Sequence, residues 1–354
     1  MKFWEGYCFD HIAPKDSDIR YKNVKNSPFE IFGVCEKSND NFYRLPENVA
    51  KYVSSGVLNH SFETAGVRVR FATDSPYIAI KAEFEKFSPS PHITYLASKG
   101  FDLYLEKDGC FTFNNSFYPP LDTDLSLEGI TRFHDSKIRN FVLDFPTGTP
   151  VKSLQIGIKD GFSVYKPDSY KITKPIVFYG SSITQGFAAS RPGNIYENFI
   201  SRNLNADYIN LGFSGCAMGE KNMAEYISSL SMSAFVLDYD HNAPSVEHLR
   251  NTHYDFYKTV REKNPDLPII LVSRPERRYH TDIKERRKVI LDTYMYAVNN
   301  GDENIHFVDG TTFFPLDVRY DCTVDDCHPN DMGMYYIANG ILKVLTHIKL
   351  SNTK

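Results

Sequence analysis

The feature that most constrains the fold is a change of hydrophobic pattern part-way along the 354 residues. Over residues 67–158, apolar and polar residues alternate in short segments, as in 77–84 and 101–107. Alternation with period two is typical of half-buried strands, and Asp108-Gly109 is a hairpin-turn signal. Because no helical periodicity interrupts this region, we expect an all-β domain, a β-sandwich of the jelly-roll type.

After residue 168 the pattern changes to short apolar runs that alternate with amphipathic segments of helical period. The runs predict strands at 176–179, 208–211, 234–237, 269–272 and 305–308, and the clearest helices are 194–203, 245–263, 282–298 and 331–346, the last with Asp331 as its N-cap. Strands that alternate with helices predict a parallel sheet covered on both faces. We therefore expect two domains, 1–168 and 169–354, with the boundary between 160 and 174.

Bulk composition excludes several classes of protein. Hydrophobic residues make up 42% and charged residues 24%, which is ordinary for a globular chain, and a net charge of −4 gives no reason to expect nucleic acid. No apolar run approaches the roughly 18 residues of a membrane helix, and residues 1–7 contain no apolar signal segment. We expect a cytoplasmic protein without a membrane partner, whose six scattered cysteines are reduced thiols.

A candidate nucleophile follows the first strand of the α/β half. The apolar run 176–179 ends in Gly180-Ser181-Ser182, which places a hydroxyl at the carboxyl end of a strand, where open α/β sheets bind ligands. Far downstream, Asp325 stands three positions before His328. A serine, a histidine and an acid are the components of nucleophilic acyl transfer. The residues alone leave open which of the two serines reacts.

Three further segments follow predicted strands at the same edge of the sheet: 210–215, 238–242 and 273–275. Small residues in the first let backbone N–H groups approach a ligand. A backbone glycine and an asparagine amide are suitable donors to an oxyanion. Arg274, in the last segment, is a candidate substrate contact, although a solvated charged loop is the commoner explanation for the arginines there.

A zinc site is an alternative for the C-terminal segment, since Cys322, Asp325, Cys327 and His328 all carry side chains that ligate zinc. Their spacing lacks the paired Cys-x-x-Cys typical of structural zinc sites, and the sequence contains no second cluster of ligands. We therefore expect neither a metal nor another cofactor.

Four of these segments, taken in order, resemble the sequence blocks of GDSL-type, or SGNH, hydrolases. They are Gly180–Thr184, similar to the Gly-Asp-Ser-Leu signature but with Ser181 in place of aspartate, then Asn210–Gly215, then Asn242, and finally Asp325–Asn330, similar to Asp-x-x-His-Pro-Asn. In the first half, Gly100–Tyr104 resembles the Gly-x-Asp-Leu-Tyr motif of a β-domain that precedes some SGNH esterases. The order of domains also resembles carbohydrate esterases with a jelly roll ahead of the hydrolase.

The resemblance implies a flavodoxin-like hydrolase domain and a role for each matching residue. Ser182 would be the nucleophile, and His328 would act first as general base and then as general acid. Asp325 would orient the imidazolium of His328. The backbone N–H groups of Ser182 and Gly215, with the side chain of Asn242, would form the oxyanion hole.

The expected function is hydrolysis of a carboxylic ester through an acyl-enzyme, with a short acyl group such as acetyl on a carbohydrate. An acyltransferase with the same triad is one alternative, because the acceptor pocket decides between them. An inactive carbohydrate-binding protein is the other, because Ser181 replaces the signature aspartate, which in the family mainly holds the nucleophile turn. We expect Asp102 and Tyr104 of the β-domain motif to be structural.

Overall fold

A computed structural model describes residues 18–37, 41–86, 90–120, 125–278 and 280–350. Residues 1–7, on which the expectation of no signal segment rests, lie outside this part of the chain. Within the described ranges, no helix is both long enough and apolar enough to cross a membrane.

The first half is a sandwich of two antiparallel sheets. Its strands are β1 Ile19–Asn23, β2 Glu30–Phe32, β3 Arg68–Thr73, β4 Tyr77–Phe84, β5 Phe101–Lys107, β6 Cys110–Phe117, β7 Ser126–Arg132, β8 Arg139–Asp144, β9 Val151–Lys159 and β10 Val164–Tyr165. One sheet has the order β1-β9-β4-β7, and the other has the order β10-β3-β8-β5-β6 with β2 beside β3. Apolar side chains of both sheets, such as Ile80 and Phe71, share one core. The predicted β-sandwich is confirmed.

Helices also occur in the first half, and the third of them lies within residues 67–158, so the prediction of no helix in that range is wrong. They are α1 Glu47–Val53, α2 Ser55–Ser61 and α3 Tyr95–Lys99. Ala50 of α1 and Val57 of α2 belong to the same core as Met223 and Ile227 from the second half. Helices this short are marginal in isolation, and packing against the rest of the molecule is what stabilises them.

The second half is a parallel five-stranded sheet with helices on both faces. The strands are β11 Ile172–Gly180, β12 Ala206–Gly212, β13 Ala234–Asp238, β14 Ile269–Val272 and β15 Ile305–Val308, and the helices are α4 Ser182–Gln185, α5 Tyr196–Leu204, α6 Lys221–Ser228, α7 Val246–Lys263, α8 Ile283–Asn299 and α9 Asp331–Leu345. The strand order β12-β11-β13-β14-β15 is the flavodoxin-like order, as predicted. One core lies under α6, α7 and α8, and another under α5 and α9. The boundary at residue 168 stays a prediction.

Helices α7 and α9 both begin at capping side chains. Ser245 accepts a hydrogen bond from the backbone of His248 at 3.0 Å and caps α7. Asn330 caps α9 by accepting from Gly333 at 3.1 Å, so the prediction of Asp331 as the N-cap is wrong by one residue. The Asp331 carboxylate instead accepts from the backbone N–H of Ser190 at 2.7 Å, which joins the start of α9 to the segment before α5.

The polar face of β3 is buried against the second half of the chain. Arg68 donates to the Asp207 carboxylate at 2.6 Å and to the Tyr208 carbonyl at 3.2 Å, both at the beginning of β12. Arg70 is also buried and pairs with Glu106 of β5. The alternation in this strand therefore separates an apolar face, in the sandwich core, from a polar face that forms an interface between the halves.

A second polar contact between the halves is made by Arg44. Its side chain is completely buried and donates to the carbonyl oxygens of Asn210 at 3.0 Å and Gly212 at 2.8 Å. It also donates to the carbonyl of Glu63 at 2.8 Å, within its own half. Arg44 thus holds the carboxyl end of β12, the strand that leads to Gly215.

Candidate active site

Ser182 is the first residue of α4, in the tight turn that follows β11 (residues 180–186, which we call the nucleophile turn), and it is only 7% exposed. Ser181 is the N-cap of α4, and its Oγ accepts a hydrogen bond from the backbone of Ile183 at 3.1 Å. An aspartate at this position would supply the same kind of acceptor. The helix ends at Gly186, which has φ of +96° and where a Cβ would lie 2.2 Å from Ile195. The turn is therefore fixed by a cap on one side and a required glycine on the other.

A buried carboxylate lies beneath the nucleophile turn. Asp238, at the end of β13, accepts hydrogen bonds from the hydroxyls of Thr184 at 3.3 Å and Tyr196 at 3.2 Å. Burial raises the pKa of Asp238 to about 7. A Cβ on Gly180 would lie 2.0 Å from Thr184 Oγ1, so the chain can pass over this network only with glycine there.

The structure brings Ser182, His328 and Asp325 into one hydrogen-bonded series. Ser182 Oγ lies 3.0 Å from His328 Nε2, and His328 Nδ1 lies 2.7 Å from Asp325 Oδ2. The other carboxylate oxygen of Asp325 accepts from the backbone N–H groups of His328 at 2.7 Å and Cys327 at 3.0 Å. Partial burial acts to raise the pKa of Asp325, but the hydrogen bonds from His328 outweigh it and lower the pKa below its ordinary value.

The loop that carries Asp325 and His328, which we call the base loop (residues 325–328), is held by two residues of a distant segment, Arg277 and Arg278. Asp326 has φ of +64°, in the left-handed region. Its carboxylate accepts from the backbone of Arg278 at 3.1 Å, and its carbonyl accepts from Arg277 Nε at 3.0 Å. The segment that follows β14 therefore fixes the turn that presents Asp325.

Gly215 and Asn242 lie on the loops that follow the two strands on either side of β11. Asn242 Nδ2 donates to the carbonyl of Phe213 at 2.9 Å, and the backbone N–H of Phe213 donates to Gly180 at 3.0 Å. Gly215 has φ of +69°, and the space where its Cβ would stand is open to 4 Å. The predicted oxyanion residues are thus on loops that contact the nucleophile turn, and Asn242 keeps one amide hydrogen beyond its bond to Phe213.

Arg274 is almost completely buried, at 3% exposure, and its Nε donates to Asp240 Oδ1 at 3.1 Å. Its Nη2 donates to the carbonyl of Asp240 at 2.7 Å, and Arg286 contacts the same carboxylate at 3.3 Å. The guanidinium therefore faces the interior, which runs against the predicted substrate contact. Its role in the structure is to hold the turn 240–242 that carries Asn242.

Asp102 and Tyr104, the charged and aromatic residues of the β-domain motif, bind a loop of the second half. The buried Asp102 carboxylate accepts from Arg191 Nη1 and from the backbone of Gly193, both at 2.7 Å. The Tyr104 hydroxyl accepts from the same Arg191 nitrogen at 2.7 Å. These contacts agree with the structural role that we expected for the motif.

Sequence reasoning missed two rings beside the base. The Phe187 ring centroid lies 4.8 Å from that of His328, and the His92 centroid lies 5.8 Å from it. His92 belongs to the first half, in the segment between β4 and α3, where an isolated histidine gives no signal of a site. The sandwich therefore contributes a residue to the surroundings of the candidate active site.

The four residues considered as zinc ligands are not placed to bind one metal ion together. Cys322 is buried, and its thiol donates to the carbonyl of Val318 at 3.3 Å. Across the described ranges, no three His, Cys, Asp or Glu side chains are placed to hold a metal ion together. The cysteines that the structure describes are free thiols: Cys35, Cys110, Cys216, Cys322 and Cys327.

Comparison with known proteins identifies the class. Residues 173–346 match the GDSL-like lipase/acylhydrolase family, and residues 19–164 match the domain found at the N-terminus of SGNH-hydrolase-type esterases. The chain belongs to the GDSL-type hydrolases that carry this N-terminal domain, and it is an enzyme of the ester-hydrolase class. A search of curated proteins finds no match.

Solved structures resemble the chain over nearly its whole length. A GDSL-like lipase from Bacteroides ovatus is 28% identical, covers 94% of this chain and 99% of its own, and has a TM-score of 0.84. A salicylyl-acyltransferase from a tetracycline biosynthetic pathway is 20% identical, with coverage of 95% and 100% and a TM-score of 0.78. An acetyl xylan esterase from Butyrivibrio proteoclasticus is 15% identical, with coverage of 93% and 98% and a TM-score of 0.56. The last two share the fold.

Proposed function

We propose that the protein is a serine esterase in which Ser182, His328 and Asp325 form the catalytic triad. The observation that carries the proposal is the hydrogen-bonded series from Ser182 Oγ to His328 Nε2 at 3.0 Å and from His328 Nδ1 to Asp325 at 2.7 Å. Distances of this length are what proton transfer from a nucleophile to a general base requires. The lowered pKa of Asp325 keeps its carboxylate ionised near neutral pH beside the imidazolium that forms.

The proposed reaction has two steps, formation of the acyl-enzyme and its hydrolysis. Ser182 Oγ attacks the ester carbonyl as its proton passes to His328 Nε2, and the bond to the alcohol then breaks as the same proton passes to the alcohol oxygen. Water next attacks the acyl-enzyme and gives a proton to His328. That proton returns to Ser182 Oγ as the carboxylic acid leaves, so the enzyme regains its starting state.

The oxyanion of each tetrahedral intermediate would be bound by three donors. The N–H of Ser182 is at the first residue of α4, where no intrahelical acceptor exists. Gly215 N–H and the second amide hydrogen of Asn242 would complete the set. Fixed donors of this kind stabilise the charge that develops on the carbonyl oxygen, each contributing roughly 10²–10³ in rate.

For the substrate, we favour a short acyl ester, such as an acetyl ester, on a carbohydrate. The low exposure of Ser182 favours a small acyl group. Phe187 offers a ring beside His328, and apolar ring faces are common in contacts with sugars. Solved neighbours that share the fold include an acetyl xylan esterase and a family two carbohydrate esterase from Clostridium thermocellum.

Transfer to an acceptor alcohol is the second candidate, because the salicylyl-acyltransferase shares the fold over 95% of this chain. The third candidate function is an inactive carbohydrate-binding protein, which was suggested because Ser181 replaces the signature aspartate. The cap that Ser181 provides to Ile183 weakens that reason, since the turn keeps the side-chain acceptor that an aspartate would supply.

The test compares wild type with Ser182→Ala on p-nitrophenyl acetate and on an acetylated xylo-oligosaccharide, with and without acceptor alcohols. We expect acetate release without an acceptor and a loss of at least about 10³-fold in kcat for Ser182→Ala. Turnover that occurs only with an acceptor would establish the transferase instead. Equal rates for wild type and Ser182→Ala would leave the binding protein as the explanation.

A further inference from the structure

We propose that His92, supplied by the β-sandwich half, is a positioning residue that holds the Asp325 carboxylate in place for His328. The inference rests on the proposed function, because it assigns to His92 a role in the same triad.

His92 and His328 approach the same oxygen atom. His92 Nε2 lies 3.5 Å from Asp325 Oδ2, the oxygen that is 2.7 Å from His328 Nδ1. The other oxygen, Oδ1, is already occupied by the two backbone N–H groups of the base loop. Among the described residues that contact the Asp325 carboxylate, His92 is the one that belongs to the other half of the chain.

The segment that carries His92 is anchored beside the nucleophile turn. Thr94 caps α3 by accepting from the backbone of Ala97 at 3.0 Å, and its hydroxyl donates to the carbonyl of Ser190 at 2.7 Å. Ile93, next to His92, is nearly buried. The ring centroids of Phe187 and His92 lie 6.3 Å apart. His92 is thus placed by fixed neighbours, although its own side chain is 46% exposed.

The geometry of the contact shows how His92 can act. Among the described residues, His92 contacts the Asp325 carboxylate and the His328 ring. An imidazole nitrogen 3.5 Å from Asp325 Oδ2 is close enough to favour one orientation of the carboxylate, and in that orientation Oδ2 lies 2.7 Å from His328 Nδ1. Loss of His92 should therefore slow the chemical step more than it weakens substrate binding.

Two variants of the full chain separate positioning from other roles. His92→Phe keeps a ring of similar size but removes the nitrogen that faces Asp325, whereas His92→Gln keeps a polar group that can reach the carboxylate. On p-nitrophenyl acetate, we expect His92→Phe to lower kcat about 10-fold with KM changed less than about threefold. His92→Gln should retain most of kcat. Thermal unfolding should be nearly unchanged in both, since the side chain is half exposed.

The split between kcat and KM, and the recovery of kcat in His92→Gln, are readouts that a merely structural role would not change. Wild-type kcat in His92→Phe would overturn the inference. Equal losses in both variants with a raised KM would also overturn it, because they would indicate a substrate contact. If Ser182→Ala retains activity, the proposed function fails instead.

Discussion

The nucleophile turn and the base loop each depend on a carboxylate, and the two carboxylates differ in both burial and charge. Asp238, under the nucleophile turn, is 5% exposed, accepts from two hydroxyls and has a pKa raised by burial to about 7. Asp325 is more exposed, and its hydrogen bonds to His328 lower its pKa. The first carboxylate fixes a turn and gains nothing from being charged, whereas the second is useful only when it is charged.

The difference in burial between the two carboxylates reflects how the nucleophile turn and the base loop are each held in place. The residues from Ser181 to Gln185 are buried and belong to the end of a core strand and a capped helix. The base loop is partly exposed, and it is contacted by the Arg277 side chain, by the Arg278 backbone N–H and by His92 from the sandwich. The nucleophile is placed by the sheet, and the base is placed by loops that meet only in the folded molecule.

The largest effect is expected for Asp325→Asn, which removes the negative charge from the base loop. We expect kcat to fall by about 10³–10⁴-fold with little change in KM, because the neutral amide cannot stabilise the His328 imidazolium or maintain its tautomer. Steady-state kinetics measures the loss, with Asp326→Asn as the neighbouring control. An Asp325→Asn enzyme with nearly wild-type kcat would exclude Asp325 from the triad.

The second prediction tests whether the sandwich stabilises the catalytic half. Asp102→Ala should lower the free energy of unfolding by about 3 kcal/mol, because it leaves Arg191 and the Gly193 N–H without their acceptor. Chemical denaturation measures this change. Asp135→Ala, which removes an exposed ion pair with Arg139, is the control and should leave stability nearly unchanged. Equal effects of the two substitutions would contradict the structural role of the motif.

The third prediction concerns the pH dependence of stability through Asp238. Its folded pKa of about 7 lies above the unfolded value, so between about pH 4 and 7 the folded protein holds a proton that the unfolded chain has lost. Stability therefore falls as pH rises through this window. Asp238→Asn removes that contribution while it keeps an acceptor for Thr184 and Tyr196.

Denaturation of wild type and Asp238→Asn at pH 4 and pH 7 isolates the effect. We expect the wild type to lose on the order of 1–3 kcal/mol relative to the variant between these pH values. Burial also raises the pKa of Asp144 and Asp207, to about 7 and about 6, but both residues are present in each protein and cancel in the difference. Parallel pH profiles for the two proteins would show that Asp238 is ionised in the folded state.

The smallest effect is expected for Ser181→Ala, which should cost about 1 kcal/mol of stability through loss of the cap on α4. Activity should stay within a few-fold of wild type, and Ser181→Asp should recover the stability because aspartate caps as well as serine does. Thermal unfolding and p-nitrophenyl acetate hydrolysis measure both quantities. A loss of activity in Ser181→Ala as large as in Ser182→Ala would undo the choice between the two serines.

The nucleophile turn was predictable because its determinants are local. An apolar run, a glycine, two serines and the following residues define a strand, a cap and a helix within about ten positions. The parallel sheet of the second half was also predictable, since five apolar runs alternate with helices, whereas its flavodoxin-like strand order was implied by the family resemblance. The candidate base and acid were found by their spacing and by resemblance.

The remaining features depend on contacts between distant segments. Arg274 was predicted to contact substrate because the sequence does not show that its side chain is buried and bound to Asp240. Helices α1 and α2 were missed because they gain their stability from apolar residues that join the core of the second half. His92 carries no local signal, and its position at Asp325 follows from how the sandwich meets the sheet.

The contacts of Arg44 determine what we expect when the two halves of the chain are separated by cleavage. It fills a place at the end of β12 where two main-chain carbonyls, of Asn210 and Gly212, would otherwise be buried without that donor. The sandwich therefore supplies a contact that the folded hydrolase half requires. A hydrolase half released by cleavage near residue 168 would resemble one partner of an obligate heterodimer, and we expect it to regain its fold only when the sandwich is supplied again.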